Sequence, residues 1–201
     1  MRSRLALPPS GNRGDHDLNP GFKPPRGRLV AAAVLVPLVE RREGLTVLLT
    51  RRTSHLNAHA GQISFPGGKA EPADTDAVYT ALRETHEEVG VPKEHVDVIG
   101  MLDRYVTRTG FDITPVVGLI VPPFPVSPDP SEVDEVFEVP LEYLLDPGNR
   151  RKDSRQVQGQ TRHYYAMPFG DYYIWGATAG MLVNLAARLM PDMAASAGKT
   201  P

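Results

Sequence analysis

The chain has 201 residues, a formal net charge of -2, a sequence pI near 6.3 and no cysteine. That charge argues against a general nucleic-acid binder, which would be basic, and zero cysteines exclude a disulfide scaffold, a thiolate zinc site and a cysteine nucleophile. Hydrophobic residues, at 41%, suffice for one sizeable core, while no run approaches the roughly 18 apolar residues that span a bilayer.

Residues 1–28 are rich in Pro, Gly and Arg and read as an N-terminal arm, lying on the domain or acting as a disordered leader. Its basic start, Met1 to Arg4, is followed by no apolar signal core. A single domain is expected over 29–191, with a frayed tail at 192–201.

The first strand runs from Leu29 to Val39, and Pro37 suggests an edge or a strand end there. A polar turn, Glu40 to Gly44, joins it to a second strand over Leu45 to Thr50. Arg51 and Arg52 are either a solvated pair at the strand end or phosphate contacts leading into the glycines that follow. His55 and His59 have the spacing of one helix face, but zinc would lack thiolates and a nearby third ligand. Surface histidines or phosphate contacts are the simpler reading. Ile63 to Phe65 then feeds a glycine turn, Pro66-Gly67-Gly68.

Thr75 or Asp76 can cap the helix that follows, and Gly90 and Pro92 end it. Glu84, Glu87 and Glu88 fall three and four residues apart, which points three carboxylates at roughly one spot. Such clusters are usually solvated helix faces. Here the glycine turn and Arg83 accompany them, and a hard cation such as Mg²⁺ or Mn²⁺ would relieve the repulsion. Val96 to Val106 and Ile113 to Val121 read as strands, and Ser131 to Val139 alternates acid and apolar residues as a half-exposed strand would. A short helix follows Pro140, then a basic loop at Arg150-Arg151-Lys152 and a polar strand around Arg162 to Ala166. The final helix is Ala177 to Met190.

Arg83 to Val91 resembles the second half of the Nudix hydrolase box, G-x5-E-x7-R-E-U-x-E-E-x-G-U, with Thr85 at the first bulky position U. The first half departs from it: Gly68 to Arg83 is one residue longer, and Asp74 is the acid present. This spacing, with Leu48-Leu49-Thr50-Arg51-Arg52, Gly61 and Phe65-Pro66-Gly67-Gly68 upstream, is similar to the coenzyme A pyrophosphatase branch. Thr53 stands where that branch has Ser, and Asn57 where it has Arg.

The resemblance implies an α/β fold, a Nudix-type α/β/α sandwich with a mixed β-sheet. It implies metal-dependent hydrolysis of the pyrophosphate bond of coenzyme A or acyl-CoA in the cytoplasm, with ADP-ribose or NADH as alternative substrates and a ligand-sensing module as a non-catalytic reading. Glu84, Glu88, Glu87 and the Gly68 carbonyl would hold Mg²⁺ or Mn²⁺. Glu87, Glu88 and Arg83 would serve catalysis, with Arg83 orienting its neighbours. Arg51, Arg52, Asn57, Gly67 and Lys69 would meet the substrate. No nucleic acid or membrane partner is expected, and a homodimer is compatible with this reading.

Overall fold

The computed structural model describes residues 1–19, 21, 28–54 and 61–191. His55, Asn57, His59 and the 192–201 tail lie outside the described residues.

The architecture is built around one long strand. β2 (Val30–Arg41) alternates its side chains between two apolar layers, as the two-residue period of a strand requires. Ala33 and Leu35 pack with Ala81 of helix α2 (Ala77–Val89), whereas Val36 and Leu38 belong to the main core, to which helix α4 (Gly176–Leu189) contributes Leu182 and Leu185. A mixed sheet with helices on both faces results, the expected α/β/α sandwich. β2 pairs in parallel with β8 (Phe111–Ile120) and antiparallel with β3 (Gly44–Arg52) and the short β5 (Gly67–Lys69). β3 in turn carries β4 (Ile63–Ser64) and β9 (Val133–Pro140), which leads into helix α3 (Leu141–Leu145).

Pro37 ends nothing and lies on no edge. Leu35 N–H donates to Pro66 O at 2.9 Å, so two residues later the missing N–H of Pro37 faces the same side. That side is the gap between the β5 pairing at Ala32–Val34 and the β3 pairing at Leu38–Arg41, where the ladder asks for no donor. The glycine turn is likewise a strand in part, since Gly67, Gly68 and Lys69 form β5.

The expected strand from Val96 to Val106 is two, β6 (Val96–Met101) and β7 (Arg104–Val106), both antiparallel to β8. Between them Asp103 accepts from the backbone N–H groups of Ser10 (2.6 Å) and Gly11 (3.1 Å). The N-terminal arm is held here. Its helix α1 (Arg2–Leu5) sends Leu5 into the main core with no exposed surface, and β1 (Asn12–Gly14) extends the sheet beside β7 in parallel. Arg150-Arg151-Lys152 is not simply a basic loop either, because Arg151 opens β10 (Arg151–Val157). This strand pairs with β11 (Gln160–Phe169) and, through it, β12 (Tyr172–Trp175), in a separate three-stranded sheet. Among the described residues no helix is long and apolar enough to cross a membrane.

Candidate active site

Asp76 caps α2, its carboxylate accepting the Tyr79 N–H at 2.8 Å. Gly90 ends the helix with φ +73°, a left-handed turn that glycine enters without strain. The proline-rich loop around Pro128 is fastened to that end: Ser127 N–H donates to Val89 O and Asp129 N–H to Glu88 O, satisfying carbonyls a helix terminus leaves open. Thr85, at the position where the family motif has a bulky aliphatic residue, is buried and returns its hydroxyl to Ala81 O at 2.6 Å.

β5 runs alongside this helix. Gly67 N–H donates to Glu88 Oε2 at 3.1 Å, and Arg52 Nη1 approaches Glu88 Oε1 at 3.4 Å. Glu88 is only 4% exposed, and burial pushes its carboxyl up to about 7. One turn earlier, Glu84 lies against Gly68 so closely that a Cβ there would stand 2.4 Å from its carboxylate carbon. Burial raises this carboxyl too.

Glu87 goes elsewhere. Its side chain is 56% exposed and pairs with Arg83 Nη1 at 2.8 Å. Among the described residues no three His, Cys, Asp or Glu side chains gather closely enough to hold a metal ion. Glu84 and Glu88 form the inner pair, and Glu87 is tethered beside them. Arg83 is itself fixed: its Nε and Nη2 meet the two oxygens of Asp74 at 3.0 Å each, while Nη2 also reaches Glu84 Oε1 and Lys69 O, both at 3.1 Å. Asp74 thus takes the Arg83 fork. Arg83, the Glu71 N–H and the Thr80 hydroxyl hold its carboxyl well below the usual carboxylate range.

Glu132 is the acid that sequence reasoning missed. It stands at the foot of β9, pairs with Arg52 Nη2 at 3.6 Å, and its charge acts on both Glu84 and Glu88 to raise them further. No local pattern announces it, because only the docking of the proline-rich loop on α2 brings it here.

Arg51 and Arg52 diverge, as consecutive strand residues do. Arg52 lines a cleft of about 700 Å³ together with Gly67, Gly68 and Lys69. Arg51 instead pairs with Glu135 and Asp134 and lies over the Tyr172 ring. Across the cleft from the glycines stand Arg108, Arg155, Arg162 and Trp175, and no sequence motif marks the three arginines. Arg155 stacks on Trp175 with its guanidinium 4.7 Å from the ring centroid.

An all-oxygen donor set, with Glu88 buried and Glu84 partly buried, suits a hard divalent cation. The bare Cα of Gly68 is what admits the Glu84 carboxylate to that position. The residues present therefore fit Mg²⁺ or Mn²⁺.

Residues 28–158 match the model of the NUDIX domain. The chain belongs to the Nudix hydrolase family. It is 42% identical over 158 residues to a protein named Uncharacterized Nudix hydrolase NudL from Escherichia coli O7:K1, covering 79% of this chain and 82% of that one. The NudL of Enterobacter sp. (strain 638) matches at the same identity and coverage. Among solved structures, the NUDIX domain of Shewanella oneidensis NrtR, complexed with ADP ribose, is similar at 18% identity and a TM-score of 0.49. That match spans 84% of this chain and 93% of that one. In this Nudix hydrolase the matched region contains both the helix α2 carboxylates and the glycines of β5.

Proposed function

We propose that this Nudix hydrolase cleaves the pyrophosphate bond of coenzyme A or its thioesters, giving 3′,5′-ADP and 4′-phosphopantetheine or its acyl form. The observation that carries the reading is the position of the Leu48–Arg52 and Phe65–Gly68 segments. Leu48–Arg52 lies in β3, whose partner strand β4 runs directly into Phe65–Gly68, and Arg52, Phe65, Gly67 and Gly68 line the cleft beside Glu84 and Glu88.

Pyrophosphate cleavage spreads negative charge over non-bridging oxygens, so the site must supply positive charge rather than a covalent partner. Mg²⁺ or Mn²⁺ held by Glu84, Glu88 and the Gly68 carbonyl would supply it and would make water a stronger nucleophile. Arg83 acts as a positioning residue. Gripped by Asp74, it holds Glu87 and Glu84 in place and has no free face for substrate. Glu87 and Glu132 are the carboxylates available to take a proton from water. Arg52 and Lys69 attract the diphosphate, and the basic far wall draws the anionic substrate inward.

The test is turnover with Mg²⁺ or Mn²⁺ on coenzyme A, acetyl-CoA, ADP-ribose and NADH. The highest kcat/KM on a coenzyme A compound is expected. Preference for ADP-ribose or NADH would overturn the substrate, and binding without turnover of any of them would make the chain a ligand sensor.

A further inference from the structure

A second cavity, of about 560 Å³, lies between the N-terminal arm, α4 and β11, on the other side of His163 and Tyr164 from the cleft. Small-molecule sites commonly enclose roughly 300–1,000 Å³. Among the described residues, two buried side-chain nitrogens of the lining have no hydrogen-bond partner, Arg150 Nε and Asn184 Nδ2. Both are donors. Leaving such groups unmet is unfavourable, and each asks for an acceptor.

The cavity does not supply that acceptor. Arg150 is half-buried with its guanidinium over the Tyr165 ring at 6.0 Å, and among the described residues no carboxylate acts on its charge. The two aspartates of the wall are already engaged. Asp15 accepts from the Tyr105 hydroxyl (3.0 Å) and the Arg108 N–H (2.7 Å), and Asp17 accepts from the Gly14 N–H. Lys152 adds a further cation to the lining, and Val183, Leu145 and Met190 give it an apolar side.

We propose that this cavity binds a small molecule whose anionic group, a carboxylate or a phosphate, takes the open donors of Arg150 and Asn184 while its apolar body rests on α4. The site is distinct from the carboxylate pair and does not depend on which diphosphate the protein hydrolyses. The shared wall at His163 and Tyr164 makes it a neighbour of the substrate cleft.

The experiment is calorimetric titration of the full chain in EDTA with phenyl phosphate and, separately, benzoate. One probe should bind at one site per chain, and the better of the two tells phosphate from carboxylate. Arg150→Met should weaken it by about tenfold or more, the loss of a charge-assisted contact, and Asn184→Leu should weaken it as well. Without ligand, both variants should melt within a few degrees of the parent, since neither nitrogen gives up a hydrogen bond and the methionine side chain still covers the Tyr165 ring. Absence of binding by both probes overturns the proposal. So does affinity that falls with Arg52→Ala but not with Arg150→Met, which places the probe in the cleft. A lowered melting temperature in both variants, with affinity intact, assigns the two residues to structure alone and overturns it too.

Discussion

Arg83 holds Asp74 through two parallel contacts, Nε to Oδ1 and Nη2 to Oδ2, each at 3.0 Å. This fork ties the loop before α2 to the middle of the helix and leaves Arg83 Nη1 aimed at Glu87. Paired geometry of this kind gives direction as well as attraction. The pair also makes stability depend on pH. Asp74 is held below its unfolded value, about 3.9, so its contribution is full above that value and fades as pH falls toward the folded one. The melting-temperature gap between the parent and Asp74→Asn should be widest near pH 7 and should shrink below about pH 4. A gap that stays constant through this range would show that the ion pair is not what Asp74 supplies.

Gly67 and Gly68 should respond differently to alanine. At Gly67 a Cβ would meet Ala33 O at 2.4 Å and Val34 Cα at 2.5 Å, and its φ is +153°. Backbone cannot step aside, so Gly67→Ala should cost about 2 kcal/mol or more in stability. At Gly68 the obstacle is the end of the Glu84 side chain, which can swing away. Gly68→Ala should keep the melting temperature within a few degrees and lose about a hundredfold in turnover through misplacement of one carboxylate. Denaturant melts alongside turnover assays on both variants check the contrast.

Glu88→Gln removes a buried charge while leaving an oxygen for the Gly67 N–H. Its melting temperature in EDTA should equal or exceed that of the parent, because the cost of burying a carboxylate is gone. Hydrolysis should fall to near background, since a neutral amide is a poor ligand for a hard cation. Near-normal turnover would remove Glu88 from the metal site.

Activity should vanish in EDTA and return with Mg²⁺ or Mn²⁺, without zinc, as an all-oxygen donor set predicts. Metal analysis of the EDTA-treated protein guards this result: full turnover with no metal bound would refute it.

Arg51→Ala and Arg52→Ala should separate structure from substrate binding. Arg51 supports Glu135, Asp134 and Tyr172, so its loss should lower stability by about 1 kcal/mol and leave KM unchanged. Arg52 lines the cleft, and its loss should raise KM about tenfold. Steady-state kinetics with melts on both variants would show a reversed pattern if the two roles were exchanged.

Helix α2 and what lies along it are legible in the order of the residues alone. The Asp76 cap, the Gly90 exit and the one-turn spacing of Glu84 and Glu88 all follow from contacts between residues at most four apart. The same order also marks the strands that flank the glycines, through their apolar runs. Tertiary structure decided where the side chains of equal spacing went. Glu87 and Glu88 stand three and four residues from Glu84, spacings that share a helix face, yet Arg83, locked on Asp74, draws Glu87 outward, while the Gly67 N–H draws Glu88 inward. Only the folded chain brings Glu132 to the site, because that depends on a loop docking at the far end of α2. It also decided the fate of the N-terminal arm, whose composition could not order it alone. Leu5 and β1 are ordered by the core and the sheet edge that the rest of the chain provides.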